Sequence, residues 1–279
     1  MTIESCRSIL QFAWRRFIRL WPAYVASVLI IYCGVQALDY APFKRTVYDL
    51  LAAQVLWAPA LKANYVSGVY WSLVVECRFY VLIAVLYFGL GPSRFRIGWL
   101  AMCLVATASH FIYRPVAIHI FAADYLPFFT MGLVFYRMWR RRTDGLDAVL
   151  MATAVVTLIA LWSGEGSANG KGGIAVTGML LWMPLLFFLF VRGNLEFLAV
   201  EPLLFLGRIS YSLYLIHHEL TLGVIYSLVQ LSMPLSVAVM TAICLTISLA
   251  ALLTLGIEEP SKRALKAWGR QRPEVHVRQ

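Results

Sequence analysis

The sequence predicts an all-α, polytopic transmembrane helix bundle of about eight spans with both termini cytoplasmic, and three observations lead there. First, 61% of the 279 residues are hydrophobic and only 14% are charged, too little polar surface to cover a water-soluble globule of this size. Second, the apolar residues fall in blocks of roughly 17 to 25, the length that crosses ~30 Å of hydrocarbon at ~1.5 Å per residue. Third, the basic residues alternate between loops in the way a fixed orientation requires. With the amino terminus inside, 18 Lys and Arg fall on the cytoplasmic side. Only Lys44, Arg45, Lys62, Arg114 and Lys171 fall outside, and Arg78 lies within a span.

In chain order the spans are expected at 17–38, 69–90, 97–113, 123–139, 146–163, 173–191, 209–230 and 235–257. Residues 47–58 are apolar but too short to cross, and Pro59 follows. They are expected to lie in the outer interface or against the bundle; as a ninth span they would invert everything downstream. The stretch after Arg15, Arg16 and Arg19 outruns a signal-peptide core and ends without a small-residue cleavage site, so it reads as a retained anchor. No loop is long enough to fold alone, and residues 1–279 read as a single domain.

Several function classes are excluded at this level. The net charge of +10 invites a nucleic-acid reading, but the basic residues sit in short loops between spans, where orientation and anionic lipid headgroups account for them. Cys6, Cys33, Cys77, Cys103 and Cys244 are scattered, with no CxxC pair, and give neither a disulfide framework nor a metal site. The Gly-rich loop at 163–173 lacks the phosphate-loop register and reads as a connector.

Ionisable side chains within spans cost roughly 2.5–3.5 kcal/mol each near the bilayer centre, so each needs a partner or a use. Arg16 and Arg19, three residues apart, share a helix face at the inner interface, where two guanidinium forks can hold a phosphate. The same spacing also suits a positive-inside anchor. In Tyr70-Trp71-Ser72-Leu73-Val74-Val75-Glu76-Cys77-Arg78-Phe79-Tyr80, the residues Ser72, Glu76 and Tyr80 stand at i, i+4 and i+8 on one stripe, and Arg78 points elsewhere. A structural ion pair between helices is the competing reading. In Gly207-Arg208-Ile209-Ser210-Tyr211-Ser212-Leu213-Tyr214-Leu215-Ile216-His217-His218-Glu219, a second stripe carries Ser210, Tyr214 and His217 or His218. A buried structural histidine competes here. The estimated depths of Glu76 and His217 differ by about 8 Å in a ~30 Å core, which allows one polar cavity to hold both. His110, His119 and His276 have no such company and receive no role.

The strings RRFIRLWPAY, YWSLVVECRFY, PFFTMGLVFY, FLGRISYSLYLIHHEL and IEEP occur in an order that resembles the acyltransferase 3 family, over nearly the whole chain. The resemblance implies a ten-helix membrane enzyme that moves an acyl group, acetyl by default, from cytoplasmic acyl-CoA to a sugar or glycan hydroxyl. It implies acyl-CoA as co-substrate, no bound cofactor or metal, membrane lipid as the surroundings and the bacterial inner membrane as the location. It places Arg16 and Arg19 at the donor and makes Glu76 and His217 catalytic. Trp71, Ser72, Tyr80, Ser210, Tyr211 and Tyr214 then line the substrate pocket, and Pro22 and Pro260 are structural. Relative to the family the chain is expected either to lack the first two spans, the first carrying an Arg and the His regarded as its base, or to have a misassigned start, and eight helices is the count left without them. The expectation is therefore slow or absent turnover without that base. An inactive remnant or a lipid-linked sugar transporter stands as the alternative.

Overall fold

The computed structural model describes residues 2–39, 41–56, 58–162 and 174–270, and no strand occurs among them. The helices are α1 (Ile9–Ala37), α2 (Val47–Ala53), α3 (Trp71–Ile112), α4 (Arg114–Val116), α5 (Leu126–Trp139), α6 (Gly145–Trp162), α7 (Ile174–Val191), α8 (Glu201–Gln230), α9 (Leu235–Leu253) and α10 (Glu259–Arg270). Among the described residues, Ile9–Ala37, Gly68–Ile112, Gly145–Trp162 and Leu235–Leu265 are helical stretches long and apolar enough to cross a membrane. A fifth arises if Arg114–Phe121 and Leu126–Trp139, bent by 44°, count as one. The Gly-rich loop, Lys171 and His276 lie outside the described residues.

Among the described residues each predicted span falls largely on helix; α1 begins two turns before the predicted start and α5 three residues after it, and three further boundaries differ for physical reasons. α3 runs through the expected loop at 91–96 and is interrupted only at Gly91, whose φ of 77° and ψ of 163° suit a residue without a Cβ. Pro92 restarts the helix, where its missing N–H costs nothing, so Arg94 stands in the first helical turn and Arg96 directly after it. α8 begins at Glu201, two turns before the predicted start. After α9 the chain continues through a π-helical turn, Thr254–Glu258, into α10, where a tail was expected. The wider turn accommodates Pro260, which has no N–H for an α-helical bond.

The chain forms two compact units. The first comprises residues 1–12 and 75–200. Here α5 packs against α6 and α7, and Trp99, Leu126, Leu150 and Phe95 form the buried core. Phe79 stacks on Phe129 at 4.1 Å between ring centres. Lipid tails are as apolar as leucine, so close packing and interhelical polar bonds hold such helices together. Trp99 Nε1 donates to Thr130 Oγ1 at 3.0 Å, and the Thr107 and Thr157 hydroxyls meet at 3.2 Å. At the α5–α6 turn Asp147 is buried between Arg137 Nε at 2.7 Å and Arg96 Nη1 at 3.4 Å.

The second unit comprises residues 13–74 and 201–279. α8 packs along α9 and is tied to it by Thr221 and Thr246 at 2.9 Å. α1 approaches α8 closely at Gly34, where a Cβ would stand 2.7 Å from Leu220 Cδ1. The π-turn carries its own network. Buried Glu258 accepts from Ser212 Oγ at 3.0 Å and Lys262 Nζ at 2.5 Å, and Thr254 donates to Ser212 at 2.9 Å.

Candidate functional site

The polar part of the second unit starts with a lock beneath residues 67–72. Tyr70 is fully buried, its hydroxyl 2.9 Å from Ser27 Oγ and its ring edge-on to Tyr24 at 4.9 Å. Tyr24 in turn donates to the Ala53 carbonyl at 2.6 Å. These contacts fix the 3₁₀ turn Gly68–Tyr70, which Ser67 caps and from which α3 departs.

Two groups of α8 side chains meet that turn. The Ser72 and Tyr214 hydroxyls lie 2.5 Å apart and approach the Val69 carbonyl at 3.0 Å and 3.1 Å. Two hydroxyl hydrogens can fill only two of these three contacts at once, so turning one towards a substrate oxygen gives up a single bond and keeps the other. One turn further on, Glu219, 1% exposed, accepts from Ser67 Oγ, from the Gly68 N–H at 2.5 Å and from His218 Nδ1 at 3.1 Å.

The imidazoles have defined tautomers. His217 Nδ1 lies 2.9 Å from the Tyr214 carbonyl, which can only accept, so that nitrogen carries the proton and Nε2 the lone pair. The same logic applies to His218 against the Glu219 carboxylate.

The remaining predicted residues are placed as follows. Arg16 is half-buried and Arg19 exposed on α1, three residues apart as the helical spacing requires. Trp71 is exposed at the start of α3. Tyr211 donates to the Leu20 carbonyl at 3.0 Å, next to Arg19 in sequence, and so joins α8 to α1. Ser210 is exposed and bonds back to the Gly207 carbonyl at 2.8 Å. Glu76 and Tyr80 belong to the first unit, where the Tyr80 phenol donates to Glu76 Oε1 and packs edge-on against Phe12. Arg78 Nη1 donates to the Ile118 carbonyl at 3.2 Å, in the π-helical turn Ala117–Phe121, so a helix carbonyl answers its need for an acceptor.

Of the predicted set, the second unit brings together Ser72, Tyr214 and His217. Sequence reasoning offered His218 only as the alternative to His217 on the polar stripe and gave no role to Ser67 or Glu219. Their signal was present in Glu219, an ionisable residue deep in an apolar helix, but its partner Ser67 is 152 positions away. Among the described residues no group of three His, Cys, Asp or Glu side chains is placed to hold a metal ion.

A family model described as an acyltransferase domain matches residues 4–255. The chain belongs to the acyltransferase 3 family. It is accordingly an acyltransferase and, with its long apolar helices, an integral membrane protein. No curated protein and no solved structure matched it. The acyltransferase 3 model spans both units in sequence, from the first turn before α1 to the π-turn after α9.

Proposed function

We propose that this acyltransferase moves an acyl group, acetyl by default, from acyl-CoA to a hydroxyl of a sugar or glycan at the bacterial inner membrane. The observation that carries this reading is the cluster of Ser72, Tyr214 and His217: two hydroxyls beside an imidazole whose Nε2 makes no hydrogen bond among the described residues, in a member of an acyl-transfer family. An acceptor oxygen attacks the thioester carbonyl carbon, the carbonyl oxygen gains negative charge, the C–S bond breaks, and the departing thiolate takes up the acceptor's proton. Hydroxyls such as those of Ser72 and Tyr214 are suited to donate to that developing oxyanion. Arg16 and Arg19 are suited to the phosphates of the donor, because guanidinium forks bind phosphate oxygens in pairs. The reading also assigns catalytic roles to Glu76 and His217 and substrate contacts to Trp71, Tyr80, Ser210 and Tyr211, each within its own unit.

Eight crossings with both termini cytoplasmic form part of the proposal. α3 on either side of Gly91 supports this count, since 71–90 and 92–112 are each about 30 Å long at ~1.5 Å per residue. The test is transfer from labelled acetyl-CoA to a glycan acceptor by the full chain in lipid nanodiscs, with release of free thiol measured in parallel. Arg16→Ala with Arg19→Ala raises the KM for acyl-CoA by tenfold or more if the pair binds donor. A transporter or an inactive remnant predicts no labelled product and no thiol release, and that result refutes the reading.

A further inference from the structure

We propose that His218, oriented by Glu219, is the general base that takes the proton from the acceptor hydroxyl; this rests on the acyl-transfer reading above. Three observations converge on this pair. Glu219 is 1% exposed and fixed by Ser67 Oγ and the Gly68 N–H, so it cannot swing away from the imidazole. Its third bond is to His218 Nδ1 at 3.1 Å, which leaves Nε2 as the basic nitrogen. The His218 side chain is 45% exposed, and among the described residues Nε2 makes no hydrogen bond, so an incoming hydroxyl can reach it.

The contrast with His217 decides between adjacent imidazoles. Both have Nδ1 held by an acceptor, but the partner of His217 is a helix carbonyl and that of His218 is a carboxylate. Taking a proton turns either ring into a cation. Only at His218 does a buried negative charge lie in contact with that cation, and burial keeps the attraction from being screened. The carboxylate–imidazole pair thus holds the tautomer before reaction and stabilises the imidazolium during it. Phe43, its ring centre 5.7 Å from that of His218, gives the imidazole an apolar neighbour.

The step balances. The acceptor O–H bond breaks and its proton goes to His218 Nε2, while the oxygen forms a bond to the acyl carbon. The C–S bond then breaks, and the thiolate takes the proton from His218 to leave as the free thiol of CoA, which returns the imidazole to its neutral form. Glu219 touches neither substrate and is a positioning residue.

The experiment compares wild type, His218→Gln, His218→Ala and Glu219→Gln as full chains in nanodiscs, with labelled acetyl-CoA and a glycan acceptor. Wild type without transfer refutes the acyl-transfer reading and the inference with it; wild type with transfer leaves His218 to be judged alone. The expected result is a kcat loss of roughly 10²–10⁴-fold in His218→Gln. Added imidazole is expected to accelerate His218→Ala at least tenfold, a rescue that a structural role does not produce. Glu219→Gln is expected to lower kcat tenfold or more while the KM for acetyl-CoA stays within twofold. Turnover of His218→Gln within threefold of wild type overturns the proposal. So does a loss in His218→Ala that imidazole does not relieve.

Discussion

Replacing Asp147 by Asn tests whether buried charge, rather than apolar contact alone, holds the first unit together. Asp147 is 2% exposed and accepts from Arg137 Nε at 2.7 Å, while Arg96 Nη1 lies at 3.4 Å and the Asp144 N–H at 2.9 Å. At an effective dielectric near 20, charges about 4 Å apart attract by roughly 4 kcal/mol, so two such pairs give a gross attraction of about 8 kcal/mol. Desolvating the carboxylate cancels much of this, and removing one partner of a buried ion pair costs about 3–5 kcal/mol. Asp144 still contacts both guanidiniums, at 2.7 Å and 3.4 Å, which moves the expected net loss to the lower end, about 3 kcal/mol. At about 2–4 °C per kcal/mol for a chain of this length, Asp147→Asn melts roughly 6–12 °C below wild type. The assay is thermal unfolding in detergent, followed by intrinsic tryptophan fluorescence. The control is Asp144→Asn, whose carboxylate is half-exposed and whose ion pairs are screened by water, so its shift is much smaller. Equal shifts for the two variants, or no shift for Asp147→Asn, refute the claim that burial sets the strength of this network.

The Asp144 carboxyl is held at about 2 by its hydrogen bond from Arg96, so its contribution is complete above the unfolded value of about 3.9 and is lost as pH falls towards 2. The melting difference between wild type and Asp144→Asn should therefore be constant from pH 5 to 7 and vanish near pH 2. Asp49 behaves similarly: desolvation raises its pKa, but hydrogen bonds from Thr46 and Asn64 outweigh that and lower it, so Asp49→Asn weakens the α2 cap at neutral pH and not in acid. Limited proteolysis of residues 41–66 at both pH values reads this. Ser72→Ala and Tyr214→Phe share one 2.5 Å contact, so their effects on transfer should be non-additive by about 0.5–3 kcal/mol in a double-mutant cycle. Gly34→Ala asks only the end of Leu220 to move and costs little, whereas Gly34→Val adds branches against α8 and should cost about 1–3 kcal/mol in thermal unfolding.

That the long apolar stretches would be helical followed from the sequence alone, because hydrocarbon leaves a spanning backbone no water to bond, whereas α10 did not. Residues within one or two helical turns were legible for the same reason. Tyr80 meets Glu76 at i+4, and His217 meets the Tyr214 carbonyl three residues back. Helix ends at Gly91 and Glu201 were less legible, since proline and charge mark a loop in sequence yet also suit a first helical turn. Contacts over long separations were decided by tertiary structure. Ser72 finds Tyr214 across 142 positions, Ser67 finds Glu219 across 152, and the lock of Tyr70 on Ser27 sets the turn that both use. Periodicity shows which face of a helix is polar. It carries no information about which partner that face meets, because the partner's depth and rotation depend on packing such as that of Gly34 against Leu220.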